Sequence, residues 1–261
     1  MAKPRILLID IETQPDLVWT WGVYEQNAIA VKQHWQIMSF AYKWLEDRYV
    51  KVKALCDYGD YRPGGDDRML CRDIWNLLDQ ADIVIAHNGI DFDVKKINAR
   101  FIFHNMTPPS PFRTVDTKRG LKSAANFSSN KLDWICKQLS VGSKTEKPDG
   151  FQMWLDCMDG DAKAWAKMKR YNKHDVELLE GLYNIISPWI KQPNANMWSD
   201  KPICPNPACM STHLNSKGYA VSQHRRYQRW VCMSCGTPVR SVCSEKGEKA
   251  ERVSMIGGTI A

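Results

Sequence analysis

Residues 5–13 read RILLIDIET. Ile6, Leu7, Leu8, Ile9 and Ile11 form an apolar run with little alternation, as in a strand buried on both faces of a sheet that helices cover. Asp10 and Glu12 interrupt that run two residues apart, so the two-residue period of a strand sends both carboxylates to one face. A charge pair on one face of an apolar strand is costly unless water or a cation compensates it. The alternative is that the strand ends at Asp10 and both acids are solvated.

Outward from this strand, IMSFAYKWL from Ile37 and YVKVKALC from Tyr49 read as two more strands in a hairpin, separated by Glu46, Asp47 and Arg48. Residues 66–80 carry Met69, Ile74, Leu77 and Leu78 at helical spacing, and DIVIAHN from Asp82 is another buried strand. DFDVKKINARFIF from Asp91 reads as a helix with acids in its first turn, where the helix dipole favours them. RTVDT from Arg113 is a fifth strand, SSNKLDWICKQL a helix with a serine cap, and residues 161–186 the longest helical pattern. Three strands, helix, strand, helix, strand and further helices predict an α/β fold with a mixed five-stranded sheet flanked by helices.

Pro188, Pro193, Pro202, Pro205 and Pro207 sustain neither period. They predict a division into a main domain at 1–192, a linker at 193–203, a small cysteine-rich module at 204–243 and a mobile tail at 244–261. Charge follows the same division. Of 36 Lys+Arg and 29 Asp+Glu, 9 and 3 fall from Lys201 onward, so that end carries +6 and the first 200 residues only +1. An anionic partner is therefore expected at the C-terminal end. With 44% apolar and 25% charged residues, wholesale disorder and coiled coil are excluded. No apolar run approaches the ~18 residues of a membrane helix, and the opening MAKPRILLID carries no cleavage signal. A cytoplasmic protein without a membrane partner is expected.

Two further segments carry acids. In AHNGIDFDV, Asp91 and Asp93 stand just past a buried strand, at the strand end where sites gather in open α/β sheets. The two compete for one role, helix capping explaining one of them, and Asp93 is preferred because Phe92-Asp93 after Asn88 resembles a known motif. In YNKHDVELL, Tyr171 and Asp175 are at i and i+4 and project from one side of a helix. Taken in order, D-x-E, a second aspartate and Y-x-x-x-D resemble the DnaQ-like, or DEDD, 3'-5' exonucleases of the ribonuclease H-like superfamily. Arg170 stands where the histidine branch would need His, so the likeness is to the tyrosine branch. It extends over about Pro4 to Ile190.

This resemblance implies a catalytic set of Asp10, Glu12, Asp93, Tyr171 and Asp175. The four carboxylates would hold two Mg²⁺ or Mn²⁺ ions ~4 Å apart, which stabilise the charge developed in phosphodiester hydrolysis. Hard divalent ions want oxygen ligands, which explains carboxylates rather than His or Cys. Asp10 would bridge both ions, Glu12 and Asp175 complete the water-activating site, Asp93 hold the second ion, and Tyr171 orient the water. Asp116, at a strand end, is assigned to capping or a turn. Trp19, Trp21 and Tyr24, shortly after the acids, are expected in the core, with stacking on the terminal bases of a single strand as the alternative.

Cys204-x4-Cys209 and Cys232-x2-Cys235, 22 residues apart, have a spacing close to that of a zinc ribbon. One structural Zn²⁺ would supply the folding energy that so short a segment lacks in its core. Cys243 is left over, and His213 or His224 is a substitute ligand if the wide first pair is not a true knuckle. Between the pairs, Arg225, Arg226, Tyr227, Arg229 and Trp230 interleave cations with aromatic rings, which suits a nucleic-acid backbone with exposed bases. The expected substrate is nucleic acid, single-stranded DNA or DNA 3' ends, with replication or repair proteins as further partners. The rival functions are a structure-specific ribonuclease H-like endonuclease and a catalytically inactive nucleic-acid-binding accessory protein.

Overall fold

The computed structural model describes residues 3–24, 26–59, 61–143, 150–223, 225–244 and 255–257. In chain order come β1 (Ile6–Thr13), β2 (Leu17–Trp19), β3 (Ala30–Gln33), β4 (Ile37–Trp44), β5 (Lys51–Ala54), α1 (Arg68–Asp79), β6 (Ile83–Ala86) and α2 (Asp93–Phe103). They are followed by β7 (Arg113–Asp116), α3 (Thr117–Ala124), α4 (Leu132–Gln138), α5 (Gln152–Met158) and α6 (Ala162–Ile186). The C-terminal module contributes β8 (Leu214–Val221), β9 (Arg226–Cys232), β10 (Pro238–Ser241) and β11 (Met255–Gly257).

The main sheet has the order β5-β4-β1-β6-β7, with β4 antiparallel to β1 and to β5, and β6 parallel to β1 and to β7. This is the mixed five-stranded arrangement expected. β1 is central, and its alternation divides the interior in two. Leu7, Ile9 and Ile11 pack into one core with Leu70 and Ile74 of α1, Ile97 and Phe101 of α2, and Met153 of α5. Ile6 and Leu8 face the other, with Ile135 of α4 and Val176, Leu179 and Leu182 of α6. Each fully buried Leu or Ile contributes about 1.5–3 kcal/mol, so the position of β1 is fixed from both sides. The period that puts Leu8 against α6 puts Asp10 and Glu12 on that same face.

A buried polar tie closes the first core. Asp67, just before α1, accepts from the backbone N–H of Ile37 at 2.9 Å and from Arg100 Nε and Nη2 at 2.8 and 2.6 Å, and meets His104 Nε2 at 2.6 Å. Burial drives the Asp67 carboxyl up, but hydrogen bonds from Arg100 and His104 outweigh it and leave the group below its ordinary range.

Several local expectations are corrected. The serine cap is not formed: α4 begins after Lys131, which has no side-chain cap bond, and Ser129 Oγ accepts from Lys131 N just ahead of it. The β2–β3 hairpin and the short helices α3 and α5 were not anticipated; α5 buries only Met153 and Cys157, one i,i+4 pair that gives no readable period. Asp91 does not cap α2 but pairs with Arg119 at 2.6 Å. Trp19, Trp21 and Tyr24 do not enter the core; all three are exposed.

The proline-rich stretch after α6 is stitched together. A 3-10 turn spans Ala195–Trp198, Asn196 exchanges two 3.0 Å hydrogen bonds with the backbone of Ile203, and Ala195 N donates to Pro205 O at 2.9 Å. Beyond it a second sheet has the order β11-β10-β9-β8. Part of the stretch 244–261, expected as a mobile tail, is thus a strand, β11, antiparallel to β10; of the remainder only Ser244 belongs to the described residues. Asn206 Nδ2 donates to Ser187 Oγ at 2.9 Å, seating the module against the end of α6. A cleft of about 460 Å³ separates residues 207–210 from Pro4, Arg5 and Ile6 at the start of β1. From Ile6 to Glu12 a strand advances ~20 Å, so the module docks at the far end of β1 from the acids.

Candidate active site and cysteine cluster

β1 presents Asp10 and Glu12 toward α6, and α6 returns Asp175. One carboxylate oxygen from each lies within 4.8 Å of the other two. At an effective dielectric of ~20, each pair of ionised carboxylates at such a distance repels by roughly 3 kcal/mol. A compact, oxygen-only donor set of this kind suits a hard divalent cation, which converts the repulsion into coordination.

Asp10 is held by a residue that sequence reading passed over. Asn172, fully buried on α6, donates from Nδ2 to Asp10 Oδ2 at 2.7 Å and to the Asp10 carbonyl at 3.3 Å. Its own Oδ1 accepts from Ser39 Oγ of β4 at 3.0 Å, and the amide cannot turn over without losing both bonds to Asp10. The available signal was an asparagine on the buried side of a helix, three residues before Asp175, where an apolar residue is the rule.

Asp93 is placed differently. It is buried at the first turn of α2, and its Oδ1 accepts from the backbone N–H of Ile11 at 3.2 Å. It therefore touches β1 between Asp10 and Glu12 without joining the three-carboxylate group. Burial pushes its carboxyl up to about 7, against the lowering effect of the Ile11 N–H, and nearby Asp116 adds to the rise. Asp116 caps α3 through Arg119 N at 3.0 Å and accepts from the N–H groups of Asn88 and Ile90, both at 3.1 Å. It fixes the loop that delivers Asp93. Gly89 in that loop is required, since a Cβ there would lie 2.4 Å from Ala86 Cβ.

Tyr171 stands one turn before Asp175 on α6, half-buried, with its ring edge-on to Trp154 at 6.1 Å. His174 is directed elsewhere, toward Glu177 and the Ser143 carbonyl.

The four thiols Cys204, Cys209, Cys232 and Cys235 converge, with sulfur atoms within 4.8 Å of one another and Cys204–Cys235 at 3.5 Å. Backbone N–H groups of Asn206, Ser211, Ser234 and Cys235 point at three of these sulfurs, the arrangement that favours thiolates around a metal. The x4 gap of the first pair does not prevent closure. Neither histidine enters the cluster among the described residues, and His224 lies outside them. The donor set fits a structural zinc ribbon.

On β9, the Arg226 guanidinium lies 4.2 Å from the Tyr219 ring centre, and Tyr227 is covered by Arg240 at 4.6 Å. Arg229 bonds the Lys217 carbonyl from Nε and Nη2. Arg225, Arg226 and Arg229 are exposed, Tyr227 and Trp230 half-buried.

Residues 7–187 match the model of a family described as RNase_H superfamily. The chain belongs to that family. Among solved structures, it resembles that of the family B DNA polymerase from the hyperthermophilic archaeon Pyrobaculum calidifontis, with a TM-score of 0.54 and 16% identity. The match covers 72% of this chain and 25% of the polymerase, and at that identity it speaks for the fold alone. No curated protein matches the sequence. The main domain thus has a ribonuclease H-like nuclease fold, and no helix among the described residues is long and apolar enough to cross a membrane.

Proposed function

We propose that the protein is a metal-dependent 3'-5' exonuclease of the DnaQ-like, tyrosine type, acting on nucleic-acid 3' ends with single-stranded DNA as the preferred substrate. The observation that carries this reading is the convergence of Asp10, Glu12 and Asp175 on one face of β1, with Tyr171 one turn from Asp175. Asp10, Glu12 and Asp175 would hold the divalent ions, Mg²⁺ or Mn²⁺, and Asp93, set against the backbone between the first two, would support the second ion. Such ions, when bound, stabilise the negative charge that builds on the phosphoryl and leaving oxygens.

The chain's own residues do the rest. Asn172 keeps Asp10 in one orientation. The Tyr171 hydroxyl orients the attacking water, whose oxygen forms the new bond to phosphorus as the bond to the 3'-oxygen breaks. The cysteine module, carrying one structural Zn²⁺, would offer Arg225, Arg226, Tyr227, Arg229 and Trp230 to the phosphate backbone. The reading accommodates work beside replication or repair proteins.

The test is digestion of a 5'-labelled oligonucleotide with Mg²⁺ or Mn²⁺. A one-nucleotide ladder that disappears in Asp10→Ala is expected; internal cuts would instead make the protein an endonuclease. Binding without cleavage at any metal concentration would leave only an accessory role.

A further inference from the structure

Between Thr13 and Gln36 the chain leaves the domain as an arm built on the β2–β3 pair, in which Val18 faces Val31 and Trp19 faces Ala30. Trp21 is 90% exposed, Tyr24 84% and Trp19 60%. Val23, Ile29 and Val31 are exposed as well. So much apolar surface on one projection is rare unless something covers it. The root, by contrast, is firmly held. Gln14 N donates to Gln36 O at 3.0 Å, Trp35 N to Asp16 Oδ1 at 2.9 Å, and Gln36 Nε2 to Gly65 O at 2.9 Å. A rigid root with an uncovered aromatic end describes a gripping element rather than a stray loop.

We propose that this arm is a stacking platform for the unpaired bases of a single nucleic-acid strand whose 3' end reaches Asp10 and Glu12; the inference rests on the nuclease reading above. Two observations favour this occupant. Leu17, where the arm's first strand begins, is five positions after Glu12, a reach of about 18 Å at most, so a strand threaded to the acids passes within range of the arm's base. Cations also accompany the rings: Lys32 Nζ lies 5.8 Å from the Trp19 ring centre, and Lys96 Nζ, from the helix that carries Asp93, lies 3.7 Å from that of Trp35. Neither lysine pairs with a carboxylate among the described residues. Rings for bases beside ammonium groups for phosphates are what single-strand binding requires. With only +1 over the first 200 residues, charge alone gives the acid site little hold on its strand, and the arm supplies contacts that need no net charge.

The test is made on the full chain in an Asp10→Ala background, so that no strand is consumed. Trp19→Ala/Trp21→Ala/Tyr24→Ala should weaken binding of a fluorescein-labelled dodecathymidylate about tenfold or more by anisotropy, at an unchanged melting temperature. In the parent, the same oligonucleotide should quench tryptophan emission, with most of that change lost in the triple variant. Equal affinity of the two proteins overturns the proposal, as does a triple variant whose only defect is lost self-association in sedimentation or lost capture of a protein. The two readings fail separately. A native chain that binds the oligonucleotide through the arm but cuts nothing ends the exonuclease assignment and leaves the platform standing; vigorous cutting with no effect of the triple variant does the reverse.

Discussion

The two halves of this molecule hold their functional groups by opposite means. Around β1, dozens of buried apolar side chains fix the backbone before any ligand arrives, and the carboxylates are carried on that frame against their mutual repulsion. In the cysteine module and at its edge, the buried apolar residues among those described are Ile203, Cys204, Cys232 and Val239, and two of these are ligand candidates. Here the cluster is the core. A cation should therefore tune the first region and create the second.

The largest effect that follows is on the module. Structural zinc is worth about 10–16 kcal/mol in small domains, far beyond what two apolar side chains supply. Cys232→Ser should abolish zinc retention and hydrogen-exchange protection over residues 204–243, while protection of β1 and β6 persists. A module that stays protected without metal would break the comparison. Asp10→Ala should do the opposite. Several kilocalories of lost charge stabilisation correspond to about a thousandfold or greater fall in cleavage rate. Stability in metal-depleted buffer should hold or rise, because one of three repelling carboxylates is gone. The rise in melting temperature on adding Mn²⁺ should vanish with it.

A third, smaller effect sharpens the claim that the main domain stands on its own contacts. Arg100→Ala takes the guanidinium away from buried Asp67 and leaves it only His104 and the Ile37 N–H; breaking a buried pair in this way costs about 3–5 kcal/mol and should lower the melting temperature of the main domain without loss of zinc. The pH dependence has a definite sign. Because the Asp67 carboxyl is held below its ordinary value of 3.8, its contribution is fully present above that pH and is lost as pH falls through the lower folded value. Acid melting curves of the wild type and Arg100→Ala should therefore be fully separated above pH 3.8 and draw together below it, as the pH falls through the lower folded value.

What was legible in the sequence tracks where the physics is local. RILLIDI announces a strand buried on both faces, and strand and helix periods place Asp10, Glu12, Tyr171 and Asp175 on known sides of their own elements. Paired cysteines announce their cluster in the same way. Partners across the fold left no such trace. Asn172 gains its meaning from Ser39 and Asp10, and Asp116 from a loop some 28 residues earlier. The aromatic residues after Glu12 were read inward because apolar side chains usually are; what keeps Trp21 and Tyr24 outside is the arm's departure from the sheet, which follows from the pinned root at Gln14, Asp16 and Gln36 and not from any period.

Asn172 supplies the smallest and most discriminating effect. If the acid site is preformed by the surrounding core, removing one orienting hydrogen bond should weaken metal binding without dismantling anything. Loss of an outer-shell partner typically costs 10–100-fold in metal affinity. Asn172→Leu, close in volume, should weaken Mn²⁺ binding by that factor in calorimetry while zinc content stays at one per chain. Ser39→Ala, which leaves the amide in place but free to turn, should fall between Asn172→Leu and the wild type. A purely structural role would lower stability in both variants and leave Mn²⁺ affinity untouched in the folded fraction. In that case the orientation of Asp10 would not depend on Asn172, and the contrast between a preformed site and a metal-made module would be stronger still.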